Sequence, residues 1–365
     1  MKLISLVCLA ALGLGCSSSG SASPSGTTGK TEEQFRTETV AGMHDSLLSD
    51  IDALLQASKD MQAAAPVTPG RGWNAATDAA AIQATKAAWV RARAAYERIE
   101  GALAPIFPDV DSSIDARYDD FLTELAPKGG DDNLFDDNGV TGLHAAERVL
   151  YSETIPAHVV EFEKSLPGYK AAAFPATEQE SSDFKNKLLT KIVADAQLFH
   201  DQWQPANIDI AVAFQGLISL MNEQREKVNK ASTEEEESRY AQRTMADLRD
   251  NLAGTKKIYA LFQPWILSKT DSANTAKDGK RIDAAINDGL KKLDALYAQV
   301  PTDAIPQPPS TWSSESPSQT DLATPFGVLY GGVQGAVDPA EKGSVVDEMN
   351  NAATVLGFPQ FIEGQ

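Results

Sequence analysis

Apolar residues in this chain recur every three or four positions, segment after segment, and no stretch alternates apolar with polar as a half-buried strand would. From residue 35 to 61, Val40, Met43, Leu47, Leu48, Ile51, Leu54 and Leu55 mark a helical face that ends before Pro66 and Pro69. An Ala-rich segment, residues 74–107, carries Ile82, Trp89, Ala92, Tyr96 and Ile99 on its stripe and closes at Pro105 and Pro108. Shorter helical patterns cover 114–125 and 141–151, and a long one covers 181–203 before Pro205. A second series runs over 211–228, 234–266, 282–300, 321–333 and 340–356, with Thr233 as the expected N-cap ahead of Glu236. The Pro/Ser-rich segment 301–318 interrupts it. These patterns predict an all-α protein of long antiparallel helices in two bundles, residues 34–205 and 206–365, the second read as scaffold without chemistry.

The N-terminus reads as an address. Lys2 precedes an apolar run, Leu3 to Leu14, too short to span a membrane, and Gly15-Cys16 is followed by Ser17-Ser18-Ser19-Gly20. This resembles a bacterial lipoprotein signal: residues 1–16 would end at a lipidated Cys16, and residues 17–33 would form a flexible tether. The competing reading is an ordinary cleaved secretory signal. Either way the only other cysteine, Cys8, leaves with the signal, so the exported body has no disulfide, thiol nucleophile or Cys metal site. The expected location is the bacterial cell envelope, periplasmic or extracytoplasmic, with the membrane reached through lipid alone. A formal charge of −19 argues against nucleic acid and favours cations as partners.

One pair of short motifs carries ligand chemistry. His144 and Glu147 lie three residues apart in a helical pattern, as do Glu97 and Glu100, so each pair shares a helix face. One imidazole among carboxylates suits iron, manganese or zinc. The order His-x-x-Glu reverses the Glu-x-x-His of ferritin-like di-iron bundles, and no second such motif exists, which argues against a di-iron centre. Gly142 inside a helical run either permits a close approach or marks the helix start. His44, His158 and His200 have no ligand-type spacing. The acidic segment 129–139 fails the EF-hand pattern and reads as a solvated loop. No P-loop, dinucleotide fingerprint or nucleophile elbow is present.

Tyr96-Glu97-Arg98-Ile99-Glu100, the segment from Phe107 to Asp120, and Thr141-Gly142-Leu143-His144-Ala145-Ala146-Glu147 together resemble the imelysin family, its EfeO/EfeM-type iron-uptake lipoproteins above all. The Gly-x-His-x-x-Glu signature is complete in Gly142, His144 and Glu147, and segment 247–262 is similar but less diagnostic. The resemblance implies a two-bundle helical fold with metal ligands Glu97, Glu100, Asp115, His144 and Glu147; Asp111, Asp119 and Asp120 stand close to Asp115. It further implies an ion, iron before zinc, manganese or copper, and a membrane iron permease as partner. Two other functions compete with this reading. One is a metallopeptidase, to which the imelysin name is also attached. The other is a non-catalytic envelope or glycan-binding lipoprotein, which exposed Trp203, Trp265 or Trp312 would favour.

Overall fold

The computed structural model describes residues 29–271 and 273–362; the signal segment, Cys16 and most of the expected tether lie outside the described residues. The described chain is helical throughout, with no strand. Its first half contains α1 (Glu32–Ala64), α2 (Ala79–Glu97), α3 (Glu100–Ile106), α4 (Pro108–Ile114), α5 (Tyr118–Leu125), α6 (Gly142–Leu150), α7 (Ala157–Glu163), α8 (Glu178–Asp183) and α9 (Leu189–Trp203). Its second half contains α10 (Ile210–Lys230), α11 (Thr244–Ser268), α12 (Gly279–Tyr297), α13 (Gln319–Leu322), α14 (Pro325–Val337) and α15 (Val345–Leu356).

Local chemistry starts these helices where the sequence places a cap. Thr31 accepts from the Gln34 amide at 3.3 Å while the Gln34 side chain accepts from the Thr31 amide at 2.8 Å, a reciprocal box that opens α1. Asp209, Asp278, Ser318, Thr324 and Ser344 cap α10, α12, α13, α14 and α15 by the same acceptor geometry. Met43, Leu47, Ile51, Leu54 and Met61 line the buried face of α1. That face packs on α2 and α9, and α6 closes against α2 and α9, making the first helical group. In the second, α11 and α15 flank α12, and α10 packs on α14. The expected division at residue 205 falls in the turn after α9, while helices from both sides share one hydrophobic core: α10 lies on α3, and α11 lies on α1, α2 and α3.

Three expected helices are interrupted or begin later than their pattern. The run 74–107 breaks between Glu97 and Glu100, because α11 crosses there. Asn251 of α11 donates to the freed Glu97 carbonyl at 3.0 Å, replacing a helical hydrogen bond. Gly254, one turn on, admits the Arg98 carbonyl so closely that a Cβ would meet it at 2.2 Å. The run 114–125 divides at Asp115, which follows α4. The helix expected from 234 begins only at Thr244. Thr233 is therefore no N-cap; its hydroxyl donates to the Lys230 carbonyl at 3.1 Å. Residues 231–243 form an irregular segment in which Glu236, Glu237, Ser238, Arg239 and Tyr240 are all buried, with Glu234 and Gln242 at positive φ (66° and 56°). Non-glycine residues hold that conformation only where surrounding contacts impose it.

Replacing glycine by alanine inside a helix ordinarily stabilises by about 1 kcal/mol. At Gly254 the sign reverses: Gly254→Ala is expected to lower the unfolding free energy by roughly 1–3 kcal/mol through overpacking against Arg98, read from the urea midpoint.

Candidate metal centre

The site forms where α6 begins. Gly142 has φ +89°, and a Cβ there would meet the carbonyls of Ile114 at 2.7 Å and Ser113 at 2.9 Å. Glycine thus lets the start of α6 press on the end of α4, which sets His144 beside Asp115. Trp89 Nε1 donates to the Leu143 carbonyl at 2.9 Å and ties α6 to α2. His144 is buried, and its Nδ1 pairs with Glu147 Oε2 at 2.8 Å. The other Glu147 oxygen, Oε1, accepts from the backbone amides of Tyr240 at 3.0 Å and Ala241 at 2.8 Å. One carboxylate therefore orients the ring and anchors the buried 231–243 segment.

The free face of the imidazole points at two more acids. His144 Nε2 makes no hydrogen bond and stands 3.5 Å from Asp115 Oδ1 and 3.7 Å from Glu237 Oε1. These three side chains offer ligand atoms within 4.8 Å of one another, the one such His/Asp/Glu group among the described residues. Of the neighbouring aspartates, Asp111 accepts from the Tyr96 hydroxyl at 2.5 Å, Asp119 pairs with Arg239, and Asp120 is exposed.

The remaining expected ligands lie in the same buried cluster with other partners. Glu97 contacts Arg93 and accepts from Asn251 Nδ2 at 2.5 Å. Both Glu100 oxygens accept from Lys227 Nζ at 3.0 Å, and one also accepts from Asn251 at 2.7 Å. Arg93, from α2, reaches Asp115, Glu97, Glu237 and, at 3.7 Å, Asp247. Lys227, from α10, lies within 3.8 Å of Glu97, Glu100 and Glu237.

Around this core, six carboxylates (Glu97, Glu100, Asp115, Glu147, Glu237 and Asp247) gather about three basic groups: Arg93 and Lys227 for five of them, and His144 for Glu147. The surplus appears as displaced titration. Burial pushes Glu97 well above the usual carboxylate range against the pull of Arg93 and Lys227, and pushes Asp247 up to about 6. Burial opposes ionisation of Asp115 and Glu237 too. Arg93 and His144 nonetheless hold Asp115 below its ordinary value, and Lys227, His144 and Arg93 hold Glu237 well below. For His144, burial and Arg93 act downward, but Asp115, Glu147 and Glu237 outweigh them and raise it to about 10. These acids thus favour a positive charge on the ring, the place that a metal ion at Nε2 would fill.

Solvent reaches the cluster through Asp115. Its side chain is 16% exposed and lines a cleft of about 400 Å³ with Asp111, Arg117, Asp120 and Glu124. His144 and Glu237 lie behind it, buried.

Residues 41–323, well over half of the chain, match the family model described as Imelysin. The chain belongs to the imelysin family. Among curated relatives, it is 25% identical over 237 residues to "Iron uptake system component EfeO" of Escherichia coli strain K12 and to the Shigella flexneri protein of the same name. Those matches cover 65% of this chain and 50% of each relative, so the chain spans about half the length of the curated relatives it matches. An imelysin-like protein from Psychrobacter arcticum 273-4, a solved structure, superposes with a TM-score of 0.54 at 12% identity, covering 92% of this chain and 99% of that one. At that identity the likeness shows the fold alone.

The imelysin signature locates His144 and Glu147 but not the residues that converge on them. Glu237 belongs to the Glu234–Glu237 run, whose consecutive acids look like the charged first turn of a helix. Lys227, Asp247 and Asn251 lie in the half read as scaffold; the family-like 247–262 segment includes Asp247 and Asn251, and nothing in the sequence marks Lys227. Arg93 stands four residues before Glu97, a spacing that sets the two on one face of α2. The acidic loop is structural: Asp131 accepts from the amides of Asn133 and Val140, and Asn133 donates to Asp183 at 3.0 Å. His44 packs edge-on against Trp203, His158 lies 3.3 Å from Glu234, and His200 sits between Asp52 and Asp201, all away from the cluster.

Lys227→Met leaves Glu100 and Glu97 buried without their ammonium partner. The expected cost is about 3–5 kcal/mol of stability at pH 7, measured by chemical denaturation.

Proposed function

We propose that this protein captures iron at the cell envelope, binding one ion through His144 Nε2, Asp115 and Glu237. The observation that carries the reading is the buried, unpartnered His144 Nε2 facing two carboxylate oxygens inside a cluster with surplus negative charge. Hydrogen-bonding groups buried without a partner are rare in folded proteins and call for an explanation. A mixed imidazole–carboxylate set suits iron, and also zinc, manganese or copper. The name of the EfeO relatives, an iron uptake system component, supports iron among these. Glu147 orients the ligating ring, as outer residues of metal sites do. Glu97 and Glu100 extend the negative field around the ion. A lipidated Cys16 would hold the body at the membrane, and a membrane iron permease would receive the ion. No helix among the described residues is long and apolar enough to cross a membrane.

Capture is favoured over peptidase action by the state of Glu147. The carboxylate that a peptidase would use as its base is bound by His144 and by two backbone amides. A glycan-binding surface finds little support in the tryptophans, since Trp203 and Trp265 are buried and Trp312 packs against Phe326 and Tyr330.

Titration of the purified protein with Fe²⁺ under anaerobic conditions is expected to show one saturable site. His144→Ala and Glu237→Gln should each weaken it by roughly 10–100-fold or more. Equal uptake by all three proteins would reduce the cluster to a packing device. A second expectation concerns the cleft. The double change Asp120→Asn/Glu124→Gln should slow Fe²⁺ association severalfold at low ionic strength, with the difference vanishing near about 1 M salt, as stopped-flow mixing would record.

A further inference from the structure

The two oxygen atoms that an ion at His144 Nε2 requires are already taken. Asp115 Oδ1, 3.5 Å from the imidazole nitrogen, is the same atom that pairs with Arg93 Nη1. Glu237 Oε1, 3.7 Å from that nitrogen, is the same atom that accepts from Arg93 Nη2 at 3.0 Å. Arg93 is 1% exposed and permanently charged, so it neither leaves the cluster for water nor loses its proton there. A guanidinium and a metal ion on one pair of carboxylate oxygens repel each other directly in a region of reduced dielectric.

The surroundings offer Arg93 a second seat. Its Nε has no hydrogen bond and lies 3.7 Å from Asp247 Oδ2. Glu97, one turn further along α2, already touches Nη2, and its Oε1 accepts no well-formed hydrogen bond. The Tyr96 ring lies beneath the guanidinium, 5.3 Å from its carbon, a face along which a cation slides without losing all its stabilisation. At Glu97 and Asp247 burial outweighs the pull of their present partners, whereas Asp115 and Glu237 are held ionised, so a closer cation has more to offer the first pair.

We propose that Arg93 is a tethered placeholder cation: it occupies Asp115 and Glu237 in the metal-free protein and moves toward Glu97 and Asp247 when an ion binds. This rests on the capture reading above and adds a determinant of affinity to it. The placeholder keeps the acids from repelling one another apart before the ion arrives. It also subtracts from the binding free energy, because the ion must displace it, and it returns on release. A site that must hand its ion onward is served by such a limit on affinity.

The test is anaerobic Fe²⁺ titration calorimetry on the purified wild type, Arg93→Gln, Arg93→Lys and His144→Ala, with circular dichroism to verify folding. Arg93→Gln is expected to bind roughly tenfold tighter or more, Arg93→Lys to stay nearer the wild type, and His144→Ala to lose binding. A folded Arg93→Gln that binds no tighter than a binding-competent wild type overturns the placeholder and leaves the capture reading standing. Absence of binding in both wild type and Arg93→Gln overturns both. A structure of the Fe²⁺-loaded wild type decides the matter even where Arg93→Gln fails to fold. The guanidinium is expected on Glu97 and Asp247, and its retention on both Asp115 and Glu237 overturns the proposal.

Discussion

The molecule is organised around a buried imbalance of charge. Six carboxylates converge from α2, α3, the turn after α4, α6, the 231–243 segment and α11; Arg93 and Lys227 lie among them, and Arg117 acts on Glu237 from the edge. Removing so many acids from water is expensive unless each is paired or hydrogen-bonded. The surrounding structure supplies those partners one by one: Asn251 for Glu97 and Glu100, two backbone amides for Glu147, the Ser238 hydroxyl for Asp247 at 2.5 Å. What remains without a hydrogen bond is His144 Nε2, facing Asp115 and Glu237 oxygens that Arg93 occupies. Apolar side chains of similar volume would serve stability at least as well as such a cluster.

Helix interruptions serve this cluster. The break between α2 and α3 lets Glu97 and Glu100 both turn toward α10 and α11, and Asn251 repairs the hydrogen bond that the break costs. The end of α4 delivers Asp115, and the positive φ of Gly142 brings α6 onto that end. The irregular 231–243 segment contributes Glu237. That segment is buried, carries two non-glycine residues in the left-handed region, and is held by Glu147, Asp247 and Thr244. Strained backbone at a ligand site, maintained by its neighbours, is the usual arrangement.

Connectivity also joins the two halves of the chain. α10 and α11 lie on α1, α2 and α3, so the residues around the site come from both sides of the expected boundary. Arg148 and Glu163, paired at 2.8 Å, extend this polar interior through Tyr240, whose hydroxyl donates to Glu163 at 2.6 Å. The second half is therefore a source of chemistry as well as support.

Helical periodicity, proline positions and capping residues determined the fold class, because these signals are local and repeat within one or two turns. The spacing of His144 and Glu147 likewise set the two on one helix face, and the orientation of His144 by Glu147 is an interaction within a single turn of α6. The partners of that helix were decided by tertiary structure. Glu237 stands 93 positions from His144 in the chain, and nothing in a run of four glutamates indicates which one turns inward. Glu97 and Glu100 carried the right spacing, yet the crossing of α11 and the reach of Lys227 determined that they face protein cations in this structure. A carboxylate reads the same in sequence whether it faces an ion, a lysine or water. Only packing, by setting which charges share a region of low dielectric, distinguishes them.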